Sequence, residues 1–192
     1  DGRPPDDPRF EPSVHPAWWL DYGKKVVGTR RTSLIVDPPD GRVPPLTPEA
    51  QQRAADRRAA RRDRGPADSY QDRSLFERCI TRGLPVSMMP GPYNNNIQFL
   101  QTPGGVAILM EMIHETRIIP LDGRAHLPPA VGQWLGDSRG RWEGNTLVVD
   151  ATNHKPGWLD NSGNFYSDAL HVVERWTLVD PNTLQYEATV ED

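Results

Sequence analysis

A carboxylate interrupts the most apolar run of this chain, Val106-Ala107-Ile108-Leu109-Met110-Glu111-Met112-Ile113-His114. The run has the length and residue types of a strand buried on both faces. An ionised carboxylate in such a strand must neutralise or find a partner. Glu111 is therefore expected to be largely buried and to touch one of His114, Arg117, His171 or Arg175. A carboxyl beside an imidazole that titrates near neutral pH is raw material for proton transfer. Glu174 repeats the theme, sharing a strand face with Val172, Trp176 and Leu178, with His171 and Arg175 close in sequence. Glu111, His114 and His171 are the candidate catalytic residues, and Arg117, Glu174 and Arg175 the charged candidates for holding a ligand. Against this stands a plain alternative, in which interior Glu–Arg pairs only tie together the strands of a curled sheet.

Other chemistries find less support. The histidines are His15, His114, His126, His154 and His171, and no two have the spacing of a zinc-binding helix. His171 and Glu174 would point to opposite faces of a strand. His114, His126 and Glu111 brought together across strands is the one metal arrangement left open; no metal and no cofactor is expected. No Gly-x-Ser-x-Gly elbow occurs, and Ser138 within Gly-Asp-Ser-Arg-Gly reads as a turn residue. Phosphate-cradling loops are absent. Tyr93 and Asn95 lie in Pro90-Gly91-Pro92-Tyr93-Asn94-Asn95-Asn96, a segment that offers amides to a ligand or simply forms a turn-rich loop. Trp142, with Trp158, Tyr93 and Phe165, supplies aromatic surface for a pocket wall.

The elements that must position these residues divide the chain unevenly. Most of the 20 prolines fall in the first half, and residues 1–31 read as an extended Pro-rich arm anchored by Trp18 and Trp19. Residues 32–192 read as a single β-rich domain. It opens with a short strand at 32–36 and a basic helix at 47–64, N-capped by Thr47 with Pro48 in the first turn and stopped by Gly65-Pro66. A second short helix is expected at 74–80, with Cys79 as a small buried apolar residue. Strands follow at 97–101, 106–113, 117–121, 141–142 and 146–152. The clearest pair is 171–179 with 184–191, turning at Asp180-Pro181-Asn182-Thr183 with Trp176 and Tyr186 inward. The fold class is mainly β with one or two short helices: an antiparallel curled sheet or a lipocalin-like barrel.

Bulk properties narrow the function. The net charge of -4 gives no drive toward nucleic acid, and the longest apolar run is far short of the roughly 18 residues of a membrane span. A lone Cys79 permits no internal disulfide. The arginines of the basic helix suit either a solvated surface or a docking face for an acidic partner.

The block Gly136-Asp137-Ser138-Arg139-Gly140-Arg141-Trp142-Glu143-Gly144-Asn145-Thr146-Leu147-Val148-Val149-Asp150 resembles one found in a group of exported bacterial proteins of uncharacterised function. Arg78-Cys79, Arg82-Gly83, the Pro90–Asn96 segment, Glu111–His114 and His171–Arg175 are similar to that group too. The resemblance implies a periplasmic or secreted location and no particular activity, and it implies a natural chain that continues past Asp192. The Gly-x-Trp-x-Gly strand pair also looks like a lipocalin-type barrel.

Three readings follow. One is an exported, barrel-like protein binding a small apolar or aromatic molecule in a pocket with interior carboxylates. Another is an accessory subunit of an extracytoplasmic assembly, docked through the Pro-rich arm and Arg-rich helix. The third is a cofactor-independent lyase, isomerase or cyclase using Glu111 and His114. Oligomeric state and ligand identity are open at this point.

Overall fold

The computed structural model describes residues 20, 28–65, 67–159 and 164–192. The expected irregular course of residues 1–16, the anchors Trp18 and Trp19, and the stop at Pro66 lie outside them. By its contacts the chain divides into two compact units, 1–73 and 74–192.

In the first unit, helix α1 (Pro48–Ala60) starts where its residues dictate: the Thr47 side chain accepts the Ala50 N–H and proline occupies the first turn. It ends earlier than the sequence suggests, because Arg61–Asp63 continue as turns. Arg61 and Arg64 are drawn to Asp72, whose carboxylate also closes a capping box with Ser69. No residue of α1 is buried. The strand expected at 32–36 does not form. Ser33 turns that segment back on itself, donating to the Gly41 carbonyl (2.8 Å) and accepting from the Ile35 N–H (3.0 Å), an alternative to ladder bonding.

The second unit carries all nine strands found among the described residues. Strands β1 (Ile97–Thr102), β2 (Gly105–Met110) and β3 (Thr116–Pro120) form an antiparallel meander. Strands β4 (Asp137–Glu143), β5 (Thr146–Thr152), β8 (His171–Asp180) and β9 (Thr183–Glu191) form a second antiparallel sheet in that order. Two short strands, β6 (Gly157–Trp158) and β7 (Phe165–Tyr166), pair with each other and had no signal in the sequence. The class is mainly β with a curled antiparallel arrangement, and no barrel closes among the described residues.

Alternation sets which face is inside. Val106, Ile108 and Met110 of β2, Ile119 of β3, Leu147, Val149 and Ala151 of β5, and Val172 and Trp176 of β8 form one core. Fully burying each large aliphatic side chain contributes about 1.5–3 kcal/mol. β3 lies against β4 at Gly140, where a β-carbon would meet Ile119 Cγ2 at 2.6 Å and Leu121 Cδ2 at 2.7 Å. The absence of a side chain there lets the two sheets close over the core. The β8–β9 hairpin has the expected register, with Trp176 opposite Tyr186 and their ring centroids 4.1 Å apart.

Two local expectations are corrected. β2 is buried on one face, not both, and ends at Met110. Glu111–His114 form a tight turn with Ile113 and His114 at positive φ (53° and 54°), closed by the Met110 N–H on the Glu115 carbonyl at 2.9 Å. The helix expected at 74–80 is replaced by successive turns. Cys79 has φ of 53° and is exposed, the reverse of the buried role expected for it.

Candidate functional site

The turn after β2 carries Glu111 out of the core. Glu111 is exposed and accepts from the Asn96 N–H (3.2 Å) and the Asn96 side-chain amide (2.8 Å), not from His114, Arg117, His171 or Arg175. Its expected burial is thereby corrected, for a plain reason: the apolar run is continuous in sequence, but the strand ends at Met110, one residue before Glu111. His114 is exposed on the same turn. The metal arrangement of His114, His126 and Glu111 is also absent. Among the described residues no group of three His, Cys, Asp or Glu side chains is placed to hold a metal ion.

The interior carboxylate is Glu174. It is fully buried at the centre of β8, ion-paired with Arg117 of β3, and accepts the Tyr186 hydroxyl at 2.8 Å. Arg117 Nε donates to Ser138 Oγ at 2.8 Å, so Ser138 is a buried strand residue and not part of a turn. Burial, then the negative charge of Glu174, pushes the Tyr186 hydroxyl well above its ordinary pKa and keeps it a donor. This network joins β3, β4, β8 and β9 across the core. Arg175, on the other face of β8, pairs instead with Glu143 at 2.7 Å. Trp142 is 46% exposed near the end of β4.

His171 belongs to a network on the outer face of the second sheet. The Asp150 carboxylate meets His126 Nε2 at 2.8 Å and His171 Nε2 at 3.1 Å, while Glu191 lies 3.5 Å from His171 Nδ1. His126 Nδ1 lies 3.1 Å from Asp137, which also accepts the Leu127 N–H (2.8 Å) and an Arg139 guanidinium nitrogen (2.7 Å). The hydrogen bond to Asp150 raises the His171 pKa above the usual imidazole value. The network fastens the 126–127 segment to the sheet.

A cleft of the second unit lies elsewhere. A cleft of about 310 Å³ is lined by Leu75, Phe76, Val86 and Trp158 on its apolar side, and by Thr81, Arg82 and Tyr166 among its polar groups. The β6–β7 pair positions Trp158 and Tyr166, and Phe165 packs edge-on against Trp158 at 6.4 Å. Tyr166 is 2% exposed, and a β-carbon on either Gly83 or Gly157 would stand 2.6 Å from its hydroxyl. Burial, assisted by Glu115, pushes that hydroxyl up to about 12. It is therefore a donor across the physiological range. Glu115 accepts from the Thr81 side chain and the Arg82 N–H, and desolvation raises its pKa despite those bonds. Arg82 lies over the Phe76 ring at 5.5 Å. It also lines a second, smaller cavity of about 160 Å³ with Ser87, Met88, Asn95 and Met110.

Of the residues singled out in the sequence, the structure thus brings Arg117 and Glu174 together and puts Trp158 in a cleft wall. Asn95 lines the smaller cavity, its side chain bonded to both polar backbone groups of Gly91 (2.7 and 2.9 Å). Tyr93 acts through space on Arg82. Glu111, His114, His171, Trp142, Glu174 and Arg175 are not among the cleft's lining residues. Arg82, Glu115, Tyr166 and His154 were missed as site residues. His154 is 2% exposed, its Nε2 donates to the Ala151 carbonyl at 3.3 Å, and burial lowers its pKa to about 4. It packs edge-on against Tyr166 at 6.2 Å. The one available signal was glycine: Gly83 and Gly157 mark places where something approaches the backbone closely.

Comparison with protein-family models, with curated proteins and with solved structures finds no match to this chain.

Proposed function

We propose that the second unit binds a small molecule carrying an aromatic ring in the Phe76–Trp158–Tyr166 cleft. The observation that carries this reading is the Tyr166 hydroxyl. It stands at the cleft wall, burial keeps it in its donor form, and two glycines make room for it. A ligand oxygen can accept from that hydroxyl in the cleft. Cleft size and the aromatic lining fit a one- or two-ring compound. Resemblance of the 136–150 block to exported proteins supports an extracytoplasmic setting, and cell fractionation tests that part separately.

Ligand-observed NMR with a panel of one- and two-ring aromatic compounds tests the binding reading on the full chain. Binders are expected to lose their signal changes when Val86→Trp fills the cleft in a variant that keeps its far-UV dichroism. Binding unaltered by Val86→Trp, or none across the panel, would remove the proposal.

A further inference from the structure

Arg82 has an unusual position for a cation. Its guanidinium is half-buried, and desolvation lowers its pKa, so its surroundings work against the charge it carries. Among the described residues it makes no side-chain hydrogen bond and no ion pair, and Glu115 and Tyr93 act on it only through space. The carboxyl that acts on it, Glu115, is itself desolvated, which raises its pKa. Arg82 lines both the 310 Å³ cleft and the 160 Å³ cavity, and one of its Nη atoms is 3.7 Å from where a β-carbon on Gly91 would stand.

The rest of the cleft has a matching bias. Tyr166 contributes a hydroxyl held in its donor form, and the Thr81 hydroxyl is occupied by the Gly83 N–H at 2.9 Å and by Glu115. Among the described residues no carboxylate lines the cleft. Its side chains therefore offer donors and one cation to a ligand, beside the aromatic surfaces of Phe76 and Trp158.

Resting on the small-molecule reading above, we propose that the ligand is an aromatic carboxylate, its carboxylate paired with Arg82 and accepting from Tyr166, its ring beside Phe76 and Trp158. A guanidinium fork matches a carboxylate in plane and charge. One arginine, with no second cation among the described lining residues, suits a monoanion better than a phosphate dianion.

The test compares isosteres on the full chain: 2-naphthoate, 2-naphthamide and 2-naphthyl phosphate, titrated by calorimetry at constant ionic strength. The carboxylate is expected to bind about tenfold or more tightly than the amide. Arg82→Gln should abolish that preference while leaving amide binding in place, and Tyr166→Phe should weaken the carboxylate selectively. The acid–amide comparison needs only the wild-type chain, so a poorly folding variant does not obscure it. An amide that binds as well as the acid, or a phosphate that binds better, overturns the carboxylate class and leaves small-molecule binding standing. Failure of all three to bind, in a chain that also fails the wider panel, removes both.

Discussion

The hydroxyl of Tyr166 stands so close to Gly157 that a β-carbon there would be 2.6 Å from it. The glycine is thus part of the cleft rather than a loop filler. Gly157→Ala should destabilise the protein by about 1–3 kcal/mol through overpacking. Adding Tyr166→Phe, which removes the clashing oxygen, should recover part of the loss. Urea midpoints of the two single variants and the double variant check this, and strict additivity would refute the contact. Gly83→Ala should be less readily rescued, because its φ of 75° strains any other residue as well.

The buried network makes a different demand. Glu174→Ala leaves Arg117 charged in the core and should cost about 3–5 kcal/mol. Replacing Arg117, Glu174 and Tyr186 together by Met, Leu and Phe should cost far less, since no unpaired group then remains. Comparable losses for the single and triple variants, measured by denaturant unfolding, would mean that the network does more than join strands.

Acid should find His154 first. Its folded pKa of about 4 lies below the ordinary 6.5, so the unfolded chain takes up a proton that the native state refuses. Stability is intact above 6.5 and falls by about 1.4 kcal/mol per pH unit as pH drops from 6.5 toward 4. His154→Gln should flatten the slope in that window, as read from urea midpoints against pH. An unchanged slope would mean that His154 is accessible to protons.

His171 has the opposite sign. Its pKa is raised, so its contribution is complete below 6.5 and is lost as pH rises through the folded value. Asp150→Asn should lower the His171 titration midpoint followed by imidazole NMR, since the bond to Asp150 is the main cause of the shift. A midpoint that stays put would assign the shift to Glu191.

Glu111→Gln should change stability by less than about 1 kcal/mol, because the carboxylate is exposed and an amide oxygen can still accept from Asn96. Binding in the cleft should be untouched. A loss of binding in that variant would return the functional site to the β2–β3 turn.

Where period and turn chemistry agree, the sequence is a good guide to this fold. The 171–191 hairpin and the Thr47 cap are both local decisions. The position of Glu111 is not, because continuous apolarity hides where a strand ends, and two residues at positive φ redirected the chain. Glu174 was legible through alternation, but its partner was not: Arg117 was expected beside Glu111, and it pairs with Glu174 instead. The cleft was not, since Phe76, Arg82, Glu115, Trp158 and Tyr166 come from separate turns and a two-residue strand pair. Spacing carries no record of such a meeting.

The buried phenols also give the molecule an optical property. Tyr166 and Tyr186 are both held protonated beyond the ordinary value of 10.0, whereas an unfolded chain ionises its phenols near that value. Base therefore pulls the protein toward its unfolded form. Until the sheet opens, these two of the five tyrosines should contribute no phenolate absorbance in the near ultraviolet. Their late, joint appearance in an alkaline titration would record the opening of the fold without any added dye or label.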